Sequence, residues 1–130
     1  MKLDVKDLRI ENLVNDEETT HTVVGIDQWH VYSYWQKDKE KEMLYKTPMN
    51  QIKPIPLTEE WLLKFGFVEE KIIRNRKIFR LEEKHFRVEI TAFGYVVYYT
   101  IDKFLIYYGE HIHQLQNLYF ALTSEELQIK

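Results

Sequence analysis

Seven basic side chains fall within residues 71–87, Lys71, Arg74, Arg76, Lys77, Arg80, Lys84 and Arg87, against only Glu82 and Glu83. Ile73, Ile78, Phe79 and Phe86 are interleaved with them. Guanidinium and ammonium groups set among rings suit a surface that holds phosphate on its cations and stacks a base on an aromatic face. The tyrosines Tyr95, Tyr98, Tyr99, Tyr107 and Tyr108 follow soon after. The ligand-binding set expected from this pattern is Arg74, Arg76, Lys77, Arg80, Arg87, Tyr98 and Tyr107. The competing reading is a solvated hairpin rim, its cations paired with Glu82, Glu83 and the acidic N-terminal segment, and its tyrosines buried against the N-terminal strands. Surface ion pairs of that kind contribute little stability, so they argue neither for nor against a site.

Other residue types that do chemistry lack the spacing for it. His111 and His113 stand two apart, and on a helix they would diverge by about 200°, too far to share one ion. His21, His30 and His85 have no local ligand spacing and read as ordinary strand or surface histidines. The pairs Glu17-Glu18, Glu59-Glu60, Glu82-Glu83 and Glu125-Glu126 read as helix starts and solvated loops, because adjacent carboxylates point apart. Ser33 and Ser124 are the only serines, neither sits in a nucleophile elbow, and four scattered glycines make no phosphate loop. The absence of cysteine removes thiolate metal sites, cysteine nucleophiles and disulfides. These observations favour a non-enzymatic protein with no catalytic residue, no metal and no cofactor over the last alternative, an enzyme whose residues are gathered from distant strands.

The elements that would carry such a surface belong to a chain of 130 residues, 45% hydrophobic and 15% aromatic, which is ample for a single core. So many aromatic rings exceed what a small domain buries, leaving some Tyr or Trp exposed. The net charge of −3 argues against wholesale binding of nucleic acid. The N-terminus mixes charged and single apolar residues, and no apolar run approaches membrane-spanning length, so a cytoplasmic protein with no membrane partner is expected.

The patterning predicts an α+β domain over residues 1–130. Leu8 to Val14, Thr20 to Ile26 and His30 to Trp35 read as a small β-meander, with Lys37 to Glu42 a loop and the stretch through Pro48, Pro54 and Pro56 irregular. Thr58 caps a two-turn helix that Gly66 ends. Lys71 to Tyr108 reads as an antiparallel sheet of about four strands, with Phe86, Val88 and Ile90 alternating against Arg87 and Glu89. A second helix, about Glu110 to Leu122, carries the stripe His111, Ile112, Leu115, Leu118, Tyr119 and Leu122 and should lie on that sheet, with Phe120 projecting off the stripe. Leu127 to Ile129 reads as a short edge strand.

Three blocks go further: Asp7-Leu8-Arg9-Ile10-Glu11-Asn12-Leu13-Val14; Ile55-Pro56-Leu57-Thr58-Glu59-Glu60-Trp61-Leu62-Leu63-Lys64-Phe65-Gly66-Phe67; and His113-Gln114-Leu115-Gln116-Asn117-Leu118-Tyr119-Phe120-Ala121-Leu122-Thr123 followed by Glu125-Glu126-Leu127. Together they resemble a family of small proteins from phages, prophages and mobile elements of Bacteroidetes. The family pattern usually carries glycine where this chain has Glu11 and Ser124, which suggests different turns there. The resemblance implies context rather than chemistry and transfers no functional residue. The function expected is a phage or mobile-element binding protein that sequesters a host molecule, a nucleotide immune signal in its sharpest form, to antagonise host defence. A nucleic-acid module of phage replication or recombination and an adaptor or inhibitor of a host protein are the alternatives, and a homo-oligomer is compatible with each.

Overall fold

A computed structural model of the chain describes residue 3 and residues 5–17, 19–73, 76–81, 86–99 and 105–130. Expectations placed on Arg74, Glu82, Glu83, Lys84, His85 and the turn at 101–103 lie outside them. The architecture is α+β, with antiparallel sheets. The chain divides into two compact units, one of Met1–Ile55 with His111–Glu126 and one of Pro56–Glu110 with Leu127–Lys130.

The first unit holds β1 (Leu13–Asp16), β2 (Thr19–Ile26), β3 (His30–Trp35), β4 (Leu44–Pro48) and β5 (Ile52–Lys53), in the order β4-β3-β2-β1-β5. The three-stranded meander is thus a five-stranded sheet, and the proline-rich stretch taken as irregular supplies its two outer strands. Pro48 is tolerated because it ends an edge strand, where an amide is least needed. Leu3, Leu8, Val14, Val23, Val31 and Ile52 form the core of this unit. Each such side chain contributes about 1.5–3 kcal/mol by leaving water.

Helix α2 (Ile112–Thr123) belongs to this unit and contacts β1. Its buried residues are Ile112, His113, Leu115, Gln116 and Tyr119, so the expected stripe is rotated. Polar Gln116 lies inward because the backbone needs it: its Oε1 accepts from Leu13 N at 2.8 Å and its Nε2 donates to the Glu11 carbonyl at 3.3 Å. Asn117 continues the clamp, its Oδ1 accepting from Asn12 Nδ2 and Arg9 Nη1 and its Nδ2 donating to the Asp7 carbonyl. Arg9 also pairs with Glu126, and its guanidinium lies 4.1 Å from the Phe120 ring centre, which explains that off-stripe aromatic. The first and last of the three sequence blocks are therefore joined by hydrogen bonds more than a hundred residues apart in the chain.

The second unit holds α1 (Glu59–Lys64) and a five-stranded meander in place of the four strands expected: β6 (Val68–Ile73), β7 (Arg76–Arg80), β8 (Phe86–Thr91), β9 (Gly94–Tyr99) and β10 (Leu105–Gly109), in chain order across the sheet. The cap is as expected, Thr58 Oγ1 accepting from Trp61 N at 3.4 Å, and Gly66 leaves the helix at φ 90°. Leu62 and Phe65 of this short helix are fully buried, as its stability requires. No strand forms at 127–129; Lys130 N instead donates to the Lys64 carbonyl.

Glu11 and Ser124 both take left-handed backbone, at φ 83° and 61°. A residue with a Cβ is strained there. Glu11→Gly and Ser124→Gly should each raise unfolding stability by about 0.5–1 kcal/mol in urea denaturation, the relief of strain exceeding the added freedom of the unfolded chain.

Candidate functional site

A β-strand sends alternate side chains to opposite faces, so the register of the second sheet sorts the expected site residues. Arg80 on β7 stands directly opposite Arg87 on β8, and Arg87 directly opposite Tyr98 on β9. Val68 and Leu105 continue this register line onto β6 and β10. Arg76 shares the face by its two-residue spacing from Ile78 and Arg80. Four of the seven expected residues, Arg76, Arg80, Arg87 and Tyr98, therefore lie on one sheet face.

Lys77 and Tyr107 do not. Lys77 points to the other side, where its Nζ lies 3.1 Å from Glu59 Oε2 on α1. Tyr107 is diverted by a bulge between Leu105 and Tyr107, which sets it opposite Val97 instead of Val96. It packs near Tyr95 on the core side, with ring centres 6.4 Å apart. Tyr95 is itself buried, which pushes its phenol pKa up. Gly109 is required beside these rings, since a Cβ there would lie 2.6 Å from the Tyr95 hydroxyl and 2.7 Å from Tyr107. Arg74 lies outside the described residues.

On the shared face the cations are unequally satisfied. Arg76 binds Glu89 through two parallel bonds, Nε to Oε2 at 2.8 Å and Nη2 to Oε1 at 2.7 Å. Tyr98 donates its hydroxyl to the same Oε1 at 3.0 Å. The Arg76 bonds outweigh the burial of Glu89 and hold its pKa below the usual carboxylate value. Burial, followed by the bond to Glu89, raises the Tyr98 phenol. Arg87 gives its Nε to Glu70 at 2.7 Å, a residue at the bulge of β6. The Arg87 Nη1 is buried without a hydrogen-bond partner, and Arg80 makes no ion pair among the described residues. Among the described residues the carboxylates that meet this segment are Glu59, Glu70 and Glu89, none of which answers Arg80 or the Nη1 of Arg87, and the pairing expected with Glu82 and Glu83 lies outside the described residues.

Like charges directly opposite on neighbouring strands destabilise a sheet, and a buried N–H donor without an acceptor costs further. An anion between Arg80 and Arg87 would relieve both. Guanidinium groups match the oxygens of phosphate or carboxylate in geometry as well as charge, and the half-buried Tyr98 ring stands one strand away. The arrangement can bind an anion and place an attached planar group against a ring.

The first unit holds a cluster that sequence reading passed over. His21 Nδ1 and Ser33 Oγ are 3.0 Å apart, and His21 Nε2 and Thr19 Oγ1 are 3.0 Å apart. Asp16 is close enough to act on the His21 charge, but its Oδ2 accepts from Thr47 Oγ1. Serine, histidine and aspartate resemble a hydrolytic triad, yet Ser33 is fully buried and both ring nitrogens are engaged by hydroxyls. Burial lowers the His21 pKa and favours the neutral ring. The cluster satisfies polar groups inside the sheet and offers no route to a substrate. Only the register could have found it, since Val14 and Ser33 are brought beside His21 and Val23 by strand pairing.

His111 and His113 also depart from expectation. His111 is the N-cap of α2, outside the helical turn, and the two rings stack at 5.9 Å between centres. No group of three or more His, Cys, Asp or Glu among the described residues could hold a metal ion. No helix of the described residues is long and apolar enough to cross a membrane.

The class so defined is an α+β protein with two antiparallel five-stranded sheets, one bearing a cationic row beside a tyrosine. Compared with known proteins, the chain matches no family model, no curated protein and no solved structure.

His113 supplies a pH dependence. Its ring is buried, its Nδ1 has no partner, and its pKa falls to about 4 through burial and then the neighbouring His111, with Asp7 opposing. The unfolded chain therefore takes up this proton near its ordinary value of 6.5 and the folded chain only near 4. Stability is full above 6.5 and drops as pH falls to about 4, by on the order of 3 kcal/mol from this group. Urea unfolding across that window should show the loss, and His113→Leu should flatten it.

Proposed function

We propose that the chain is a non-enzymatic binding protein whose second sheet takes a phosphate-bearing small molecule of the nucleotide class. The observation that carries this reading is the opposition of Arg80 and Arg87, with the buried Arg87 Nη1 left without an acceptor. A phosphate group bridging the two guanidinium groups leaves a base free to lie on Tyr98, the next position across the sheet. A small ligand is favoured over a long polyanion because Glu89 and Glu70 already engage Arg76 and Arg87, and Lys77 faces away. Of the described cations of the segment, little is left to track a nucleic-acid backbone.

The biological setting proposed is a phage or mobile element, in which the protein withholds the bound molecule from a host defence response inside the host cytoplasm. Support comes from the resemblance of the three blocks. The identity of a host signal would follow from the ligand.

Thermal unfolding with nucleoside mono-, di- and triphosphates, cyclic nucleotides and inorganic pyrophosphate tests the reading. A ligand at a hundred times its dissociation constant should add about 2.7 kcal/mol of stability. Arg80→Gln should abolish the ligand-induced shift while raising the melting temperature of the unliganded protein, since it removes the like-charge opposition. No shift with any of these ligands, or an Arg80→Gln variant that binds as the parent does, contradicts the proposal.

A further inference from the structure

Glu70 lies on the same face of the second sheet as Arg80 and Arg87, two residues along edge strand β6 from Val68, which stands opposite Arg80. It has no residue of its own opposite. Glu69 stands opposite Phe79 and Lys71 opposite Ile78, so Glu70 is the extra residue of the β6 bulge. A bulge at a sheet edge re-aims the side chain it carries. Here the carboxylate reaches across β7 to β8, where its Oε2 accepts from Arg87 Nε at 2.7 Å. The side chains of Glu70 and Arg87 are 28% and 18% exposed, so the contact is partly sheltered from water.

Glu70 holds its arginine differently from the way Glu89 holds Arg76. Glu89 takes Nε and Nη2 together in two parallel bonds, which occupies one whole side of the guanidinium. Glu70 takes the Nε of Arg87 and leaves its Nη1 without an acceptor. A bond at Nε restrains the planar guanidinium while the Nη1 donor stays unclaimed. That donor is the group an anion shared with Arg80 must meet. An arginine free to rotate loses its freedom when a ligand binds it, and the loss weakens binding; one already held loses little.

We infer that Glu70 is a positioning residue of the anion site, orienting Arg87 through Nε so that Nη1 meets a phosphate without further ordering. The inference rests on the reading of Arg80 and Arg87 as that site. Glu70 acts as a hydrogen-bond acceptor rather than as a charge, because its negative charge by itself opposes an anion. An amide oxygen at the same place serves equally, and a side chain of like length with no acceptor does not.

Two neutral replacements separate the acceptor from the charge. Glu70→Gln keeps an oxygen for Arg87 Nε, and Glu70→Met has the same unbranched shape without one. Titration calorimetry with inorganic pyrophosphate should give Glu70→Gln an affinity at least that of the parent. It should also exceed that of Glu70→Met by roughly three- to tenfold, the effect of ordering one long side chain. In the absence of pyrophosphate, the Arg87 Nε proton should exchange slowly with water in the parent and in Glu70→Gln, and faster in Glu70→Met with unchanged circular dichroism. Equal affinities of Glu70→Gln and Glu70→Met, or a Glu70→Gln variant that binds more weakly than the parent, would overturn the inference and leave the anion site standing. A parent chain that does not bind pyrophosphate overturns both.

Discussion

The two-residue period of a paired strand is the constraint on which both sheets depend. Once Arg87 is set opposite Arg80 and Tyr98, every other side chain on those strands has its face assigned, and Phe79, Phe86, Val88 and Val97 go to the core. A slip of one residue would send the arginines into that core and the phenylalanines into water. The same rule in the first sheet puts Val23 and Val31 inward and brings His21 to Ser33. Burial of the apolar face thus fixes the register, and the register places the polar groups.

What distinguishes the polar face of the second sheet is uneven compensation of charge. Glu89 is nearly buried yet remains favourable to ionise, because a bidentate guanidinium and a phenol both bind it. That local arrangement is closed, and it fixes Tyr98 by its hydroxyl. Arg87 is only half answered by Glu70, and Arg80 has no carboxylate among the described residues. Folding therefore tolerates an electrostatic opposition where a neutral side chain would be more stable.

Local chemistry was legible in the sequence, and long-range pairing was not. The helix from Glu59 needs only Thr58 to start it and Gly66 to end it, and both act within a few residues. The alternation of Phe86, Val88 and Ile90 against Arg87 and Glu89 likewise declares a half-buried strand. By contrast, Gln116 and His113 look like solvent-facing residues until the Leu13 amide or the packed interior is known to lie beside them. The outer strands β4 and β5 were hidden by prolines whose effect depends on edge position. Tyr107 was assigned to the site because a bulge of one residue, invisible in composition, reverses its face. Arg76, Arg80, Arg87 and Tyr98 share one face because they keep parity along unbroken strands.

Arg76, held by Glu89, differs from the pair Arg80 and Arg87, which are not fully answered. Arginine side-chain nitrogen–proton NMR during titration with a nucleoside diphosphate reads each guanidinium separately. The Nε resonances of Arg80 and Arg87 should shift with one common saturation curve while that of Arg76 stays nearly fixed. Equal small shifts at all three, or none at Arg80 and Arg87, would contradict an anion site between those two strands.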